Sequence, residues 1–192
     1  NNYLKTIKTI IMSLTKWTID PTHSEINFKV KHLMISTVTG HFNKFNLEVE
    51  TETEDFNTAK KIEFSASIDS IDTSNKQRDA HLRSADFFNV EKYPEIKFSG
   101  TNYEANGDEA RLKGNLTIAG ITKPITLNIE FGGIVVDPYG QTKAGFTVTG
   151  KLNRSEFGIT YGTATETGGM LLSDEIKINA EVQLVKQVKQ LA

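Results

Sequence analysis

The sequence predicts an all-β protein: an eight-stranded antiparallel β-barrel with one helix inserted between the third and fourth strands. Three observations support this prediction. Apolar residues recur at every second position through most of the chain, short turn motifs separate these segments, and a single interior segment changes to helical spacing. Strands with one apolar face in this number favour a closed barrel, since closure removes exposed edges; a two-sheet sandwich is the second choice.

The first three predicted strands precede the helix. Apolar and polar residues alternate over 26–30, 45–49 and 62–68. Phe42 falls out of phase with the second of these segments. A β-bulge is therefore predicted at 43–44.

The helical segment is predicted over 75–85, because Arg78, Leu82, Ala85 and Phe88 recur at i, i+4, i+7 and i+10. Eleven helical residues span about 16 Å, which is close to the width of a small barrel mouth. The segment is thus suited to form a lid.

The ends of the helix also carry sequence signals. Ser74 and Gln77 form a capping-box pattern, and Asp79 and Arg83 have the i, i+4 spacing of an exposed ion pair. Pro94 predicts that the helix has ended by the preceding residue.

Five more strands are predicted after the helix, with turns at 106–108, 119–120 and 137–140 and a long Gly- and Thr-rich loop over 155–173. Loops of this length are usually functional or mobile. The five segments are 96–98, 110–118, 125–131, 144–152 and 176–184. Large inward residues alternate with Ala66, Gly114, Ala144, Gly150 and Ala180, so we expect the barrel to retain open volume.

The chain of 192 residues fits one domain, with a barrel over 17–185, a disordered leader over 1–16 and a polar tail over 186–192. No export signal is apparent, which predicts a cytoplasmic protein, or a periplasmic one if a signal was removed. No apolar run approaches the ~18 residues of a membrane span.

Composition and motifs argue against several other functions. A net charge of −2 without a basic stretch argues against nucleic-acid binding, and the absence of cysteine excludes disulfides and a Cys nucleophile. His23, His32 and His41 are nine residues apart, and this odd spacing within one strand places His23 and His32 on opposite faces, so no metal site is expected. No nucleophile-elbow motif is present, and we expect no catalytic residues and no cofactor.

Six segments of the chain resemble the YceI-like family: DPTHSEINFKVKH at 20–32, TGHF at 39–42, RDAHLRSADFF at 78–88, YPEIKF at 93–98, GNLTIAGITKP at 114–124 and RSEFG at 154–158. The resemblance extends from Trp17 to Leu184. It implies a lipocalin-like barrel that binds a polyisoprenoid or another long-chain amphiphilic lipid in its interior. Many members are exported to the bacterial periplasm, whereas no signal is apparent here.

The expected ligand is an isoprenoid-type lipid, such as a quinone or a polyprenyl phosphate, that is carried or stored without catalysis. The candidate apolar lining consists of Phe28, Val30, Phe45, Leu47, Phe64, Ile68, Phe98, Leu116, Leu127, Phe146, Val148 and Ile178. Arg78, His81 and Arg154 are candidates for contact with the polar head group, as hydrogen-bonding side chains near the barrel mouth. Asp79 and Asp86 are interpreted as structural ties of the helix.

Other interpretations fit the same patterns. The alternation is equally typical of a dry packed core, as in a ligand-free stress-response protein. A barrel enzyme acting on a lipid-like substrate would use His81 and nearby carboxylates as acid and base. The polar outer faces are compatible with a monomer or with a homodimer.

Overall fold

The structure, a computed structural model, describes residues 13–164 and 166–188. It contains one α-helix, α1 (Lys76–Arg83), and eleven strand segments in this part of the chain. The segments are β1 (Thr15–Ile19), β2 (Glu25–His32), β3 (Ser36–Phe42), β4 (Phe45–Thr51), β5 (Ala59–Ser67), β6 (Ile71–Asp72), β7 (Glu95–Asn106), β8 (Glu109–Ile118), β9 (Ile121–Val136), β10 (Thr142–Asn153) and β11 (Leu172–Lys186). Short 3₁₀ helices cover Pro21–His23, Phe56–Thr58, Ile68–Ser70 and Arg154–Phe157.

These segments form a closed antiparallel barrel of eight strands. The ring runs β1-β4-β5-β7-β8-β9-β10-β11 and closes through pairing of β1 with β11. Segments β2, β3 and β6 prolong β1, β4 and β5 beyond short breaks. The predicted barrel is confirmed, and α1 lies between the third and fourth strands, as predicted.

The predicted turns are found, whereas the position of the predicted β-bulge at 43–44 is instead a two-residue break in the second strand. Tight turns join β7 to β8 at 107–108 and β8 to β9 at 119–120. Ala119 and Gly120 have φ values of 49° and 77°, as in the turns that suit hairpin twist. Asn43 and Lys44 separate β3 from β4, and their backbone N–H groups donate to Ser70.

The two ends of the barrel differ. The upper end carries α1, the 119–120 turn and the described residues of the loop before β11 (155–164 and 166–171), which we call the upper loop. The lower end carries Phe56–Thr58 and the 107–108 turn. Four rings fill the lower end: Trp17, Phe56, Phe131 and Phe146, with centroids 4.8–6.1 Å apart along the chain of contacts. The indole N–H of Trp17 donates to Thr51 Oγ1 at 3.1 Å. We call these four residues the aromatic plug.

The helix differs from prediction at its start. Asn75, not Ser74, is the N-cap, and its side chain accepts a hydrogen bond from the Arg78 backbone N–H at 2.9 Å. The predicted exposed Asp79–Arg83 ion pair is wrong. Asp79 is buried and accepts two hydrogen bonds from Thr73, because this side of the helix faces the end of β6.

The predicted domain limits are close to the strand limits. Thr15 and Lys16, assigned to the leader, already pair with Thr51 and Glu50 in β1. At the other end β11 reaches Lys186, and Gln187 N–H still donates to the Lys16 carbonyl at 2.8 Å. Residues 1–12 of the predicted leader and 189–192 of the predicted tail lie outside the described residues.

Candidate ligand-binding cavity

The barrel encloses a cavity of about 260 Å³. It lies between the aromatic plug, which contributes no wall residue, and the upper end. Among the described residues, all those along its wall are apolar except Asn27 and Arg154. An apolar cavity of this kind stays dry or takes up an apolar ligand, because water needs polar partners.

Nine of the twelve predicted lining residues lie on the cavity wall: Phe28, Val30, Leu47, Phe64, Phe98, Leu116, Leu127, Val148 and Ile178. They come from β2, β4, β5, β7, β8, β9, β10 and β11. Period-two alternation places each of them on the inner face of its strand. Their contact with a ligand stays a prediction.

The other three predicted lining residues lie elsewhere. Phe146 belongs to the aromatic plug. Ile68 is only 1% exposed and lies in the 3₁₀ helix that interrupts the third strand, so its side chain enters the packed core. Phe45 begins β4 directly after the break at 43–44 and packs against the core opposite Ala66.

Several wall residues were not in the predicted set. The lid segment contributes Leu82, Phe87 and Phe88, and the upper loop contributes Phe157 and Ile159. The helical spacing already marked Leu82 and Phe88, and Phe157 lies in the RSEFG segment of the family resemblance, whereas no sequence signal marked Ile159. The remaining apolar wall residues continue the inward alternation or lie beside it: Ile26, Phe42, Ile62, Ala66, Ile96, Leu112, Ile118, Ile125, Leu152, Leu172, Ile176, Ala180 and Val182.

The prediction that small inward residues leave open volume in the barrel is only partly right. Ala66 and Ala180 border the cavity, but Ala144 lies in the core away from it. A Cβ at Gly114 would collide with the ring of Phe98, and one at Gly150 with Leu127. These two glycines therefore make room for large neighbours rather than for a ligand.

The helix is tied to the barrel through Thr73. Asp79 Oδ1 accepts from the Thr73 N–H at 2.9 Å and from its hydroxyl at 2.6 Å. Arg78 donates through Nε to Thr73 Oγ1 and through Nη2 to the Thr73 carbonyl, both at 2.7 Å. The guanidinium of Arg78, a predicted head-group contact, is thus directed at Thr73 and does not line the cavity.

His81, the second predicted head-group contact, joins the helix to the upper loop. Its Nε2 lies 2.8 Å from Asp86 Oδ2. Its ring stands edge-on to Phe87 and Tyr161, with centroids 5.0 and 4.8 Å away. His81 does not line the cavity. Its contact with Tyr161 joins α1 to the upper loop, and we call α1 and the upper loop together the lid.

Arg154, the third predicted head-group contact, is the one charged residue on the described cavity wall. It is 4% exposed and donates to four backbone carbonyls: Nε to Ser173, Nη1 to Ile159 and Tyr161, and Nη2 to Leu172, at 2.7–3.2 Å. Burial lowers the pKa of its guanidinium, and the negative charge of Asp174 offsets this lowering only in part. A guanidinium remains protonated in proteins and has five N–H groups, so one N–H on Nη2 is left for another acceptor.

The histidines considered for a metal site are dispersed. His23 contacts Asp20 at 2.9 Å, and His41 lies 3.8 Å from Asp72. Residues 13–164 and 166–188 contain no cluster of three or more His, Asp or Glu side chains suited to a metal ion. In the same ranges no helix has the length and apolar character needed to cross a bilayer.

Comparison with known proteins identifies relatives over most of the chain. A family model described as YceI-like domain matches residues 17–184. A UPF0312 protein of Staphylococcus aureus is 39% identical over 173 residues, which cover 88% of this chain and 97% of that protein. A YceI protein of Campylobacter jejuni of known structure is 36% identical, with a TM-score of 0.72 over 82% of this chain and 90% of its own.

A more distant solved structure shares the fold. A polyisoprenoid-binding domain from Saccharophagus degradans has a TM-score of 0.64 at 14% identity, covering 89% of this chain and 98% of its own. At this identity the likeness is one of fold alone.

Proposed function

The chain is a member of the YceI-like family, and from this premise we propose that it binds one long-chain isoprenoid-type lipid inside the barrel. The ligand class is a quinone or a polyprenyl phosphate, held as cargo or in storage without catalysis. The likeness in fold to the polyisoprenoid-binding domain of Saccharophagus degradans supports this class by analogy.

The observation that carries the proposal is the apolar cavity of about 260 Å³ between the aromatic plug and the lid. An isoprenoid chain makes no hydrogen bonds, so its affinity comes from burial, at roughly 0.8 kcal/mol per CH₂. The apolar side chains of the wall provide this burial. A filled core, the interpretation without a ligand, would leave no such space.

Arg154 is the proposed contact for the polar end of the lipid. Its remaining N–H would donate to a quinone carbonyl or to a phosphate oxygen at the upper end of the cavity. Arg78 and His81 are secondary candidates, because their polar atoms engage Thr73 and Asp86 outside the wall.

The composition of the wall supports a role without catalysis. Acid–base chemistry requires a group that can exchange a proton near neutral pH. Arg154 is the one ionisable residue on the described wall, and a guanidinium does not lose its proton. His81, the base of the enzyme alternative, lies on the lid outside this wall.

Native mass spectrometry of the purified protein, followed by organic extraction, tests the proposal. We expect one long-chain lipid per chain, and reloading of delipidated protein with a long-chain quinone or a polyprenyl phosphate. Ala180→Phe adds a ring inside the cavity, and we expect it to weaken lipid binding by roughly tenfold or more. Asn179→Phe, which adds the same ring to the exposed face of β11, should bind as the parent does.

Two results would overturn the proposal. One is a protein without lipid that stays so after incubation with both lipid classes. The other is an Ala180→Phe protein that binds lipid as well as the parent. Ala66→Phe, on a different strand, serves as a second cavity variant if Ala180→Phe does not fold, with circular dichroism as the check on folding.

A further inference from the structure

The loop that joins β2 to β3 presents three apolar side chains at the upper end of the barrel. Leu33, Met34 and Ile35 are 45%, 59% and 84% exposed. We call these three residues the apolar tip. Contiguous exposed apolar residues of this kind mark contact sites more often than isolated ones do.

The backbone of the apolar tip does not account for its residue types. Ile35 N–H donates to the His32 carbonyl at 3.2 Å, and Leu33 and Met34 have φ values of 50° and 60°. This is the geometry of a type I′ turn, which favours Asn-Gly because L side chains are disfavoured at positive φ. Leu and Met are therefore present despite the turn, which indicates that their side chains have another role.

The apolar tip lies beside the start of β11, which contributes to the cavity wall. Leu33 N–H donates to the Leu171 carbonyl at 2.9 Å, and Leu172 pairs with His32. Leu172 lines the cavity, and Met170, two residues earlier, is 43% exposed. Apolar residues are thus present both on the cavity wall at Leu172 and on the neighbouring outer edge of the barrel at the apolar tip.

Lysines cover the outer face directly below the apolar tip. Lys151, Lys177 and Lys29 lie opposite one another on β10, β11 and β2, and Lys31 follows on the same face as Lys29. Like charges directly opposite each other on a sheet are unfavourable. Glu175 lies 3.5 Å from Lys151, whereas Lys29, Lys31 and Lys177 have no carboxylate within ion-pair distance in the described chain.

The sequence of this hairpin reinforces the positive charge. No acidic residue occurs between Glu25 and Glu48. At strand rise, Lys31 and Lys29 lie about 7 and 13 Å from Leu33 along β2. Interfacial apolar groups enter a bilayer by roughly 5–10 Å, which would bring these ammonium groups to the level of the lipid head groups.

We propose that the apolar tip inserts into the interface of an anionic membrane while Lys29, Lys31 and Lys177 bind the lipid head groups. Docking in this orientation places the upper end of the cavity against the bilayer, where a lipid passes between membrane and barrel. The identity of that lipid rests on the proposed function, whereas membrane docking does not.

Co-sedimentation with vesicles tests the inference, using the full chain and either equimolar phosphatidylcholine and phosphatidylglycerol or phosphatidylcholine alone. We expect binding to the anionic vesicles that falls as salt is added. Leu33→Asn/Met34→Gly/Ile35→Ser installs a favourable type I′ turn, so it should fold at least as well as the parent and bind roughly tenfold or more weakly. Lys29→Gln/Lys31→Gln should also bind about tenfold more weakly to anionic vesicles.

A matched control is available at the lower end of the barrel. The turn between β9 and β10 exposes Val136 (68%) and Tyr139 (90%), but its Lys143 lies within 3.4–3.5 Å of both Asp20 and Asp137. Val136→Ser/Tyr139→Ser should bind vesicles as the parent does. Equal loss in this control and in the tip variant would overturn the inference.

Two further outcomes would also overturn it. The first is that the parent does not bind to anionic vesicles. The second is that the apolar tip joins two copies of the chain: the parent is then a dimer that binds no vesicles, and the tip variant is a monomer. Failure of the proposed function is seen separately. In that case the parent sediments with vesicles while native mass spectrometry finds no lipid in the cavity.

Discussion

The carboxylate of Asp20 accepts hydrogen bonds at the break between β1 and β2. It accepts from the Thr22 N–H at 3.0 Å and hydroxyl at 2.6 Å, and it lies 2.9 Å from His23 Nδ1. These hydrogen bonds, with the one from the Thr22 hydroxyl as the largest contribution, hold the pKa of Asp20 well below its usual range. The carboxylate thereby stabilises the break between β1 and β2.

This predicts a pH-dependent effect of Asp20→Asn. Because the pKa of Asp20 is lower in the folded state, its ionised carboxylate stabilises the fold at pH values above its unfolded-state pKa of about 3.9. This stabilisation is lost as the pH falls through the folded-state pKa. The variant should thus be less stable than the parent at pH 7, by about 1 kcal/mol, and the difference should shrink below about pH 4.

Thermal unfolding across this pH range measures the effect. Asp108→Asn, in the exposed 107–108 turn, is the control and should follow the parent at every pH. A difference between Asp20→Asn and the parent that stays constant with pH would contradict the prediction.

Single residues also show which parts of the cavity could be read from the sequence. Phe28, Leu47 and Val148 were correctly placed on the wall, because strand alternation alone decides which face a side chain occupies. The position of a side chain along the barrel axis could not be predicted from this alternation. Phe146 has the same inward phase as Val148 but lies in the aromatic plug, since its height is set by barrel closure.

At the scale of elements, the lid depends on few polar contacts. Helix α1 has low apolar content, and Asp79 and Arg78 tie its first turns to Thr73. Spacing and capping signals predicted the helix, but not the burial of Asp79. That burial follows from the direction in which the helix crosses the barrel end, which is a tertiary property.

We predict that Asp79→Ala loosens the lid. The substitution leaves the Thr73 N–H without its acceptor, at a cost of about 1–3 kcal/mol. Amide hydrogen exchange should accelerate in α1 more than in β8 and β9, and release of a bound lipid should be faster. Arg83→Ala, at the last residue of the same helix, is the control. Uniform acceleration of exchange throughout the barrel would show that Asp79 supports the whole fold instead.

For the whole molecule, the number of strands, their order and the position of the helix were all accessible from the sequence. Alternation with short turns admits few topologies, and a meander of eight such strands closes readily. The cavity was harder to predict from the sequence, because a packed and a hollow barrel share the same alternation of apolar and polar residues. Gly114 illustrates this limit: the ring of Phe98 occupies the space that its missing side chain leaves.

The division of the barrel into a filled lower end and a hollow upper part predicts unequal stability costs for the same substitution. Phe146→Ala removes a ring packed at 4.8 and 5.2 Å from Phe56 and Phe131, and it should destabilise the lipid-free protein by about 3–5 kcal/mol. Phe64→Ala removes a ring that already borders empty space and has fewer contacts to lose, so its cost should be clearly smaller.

Urea unfolding of both variants, lipid-free and lipid-loaded, measures the difference. A lipid that fills the cavity stabilises the folded state in proportion to its affinity, so loading should widen the gap between parent and Phe64→Ala and leave that between parent and Phe146→Ala nearly unchanged. Equal costs in the lipid-free protein would mean that the upper part is packed as tightly as the plug, and the barrel would then lack the space on which lipid binding depends.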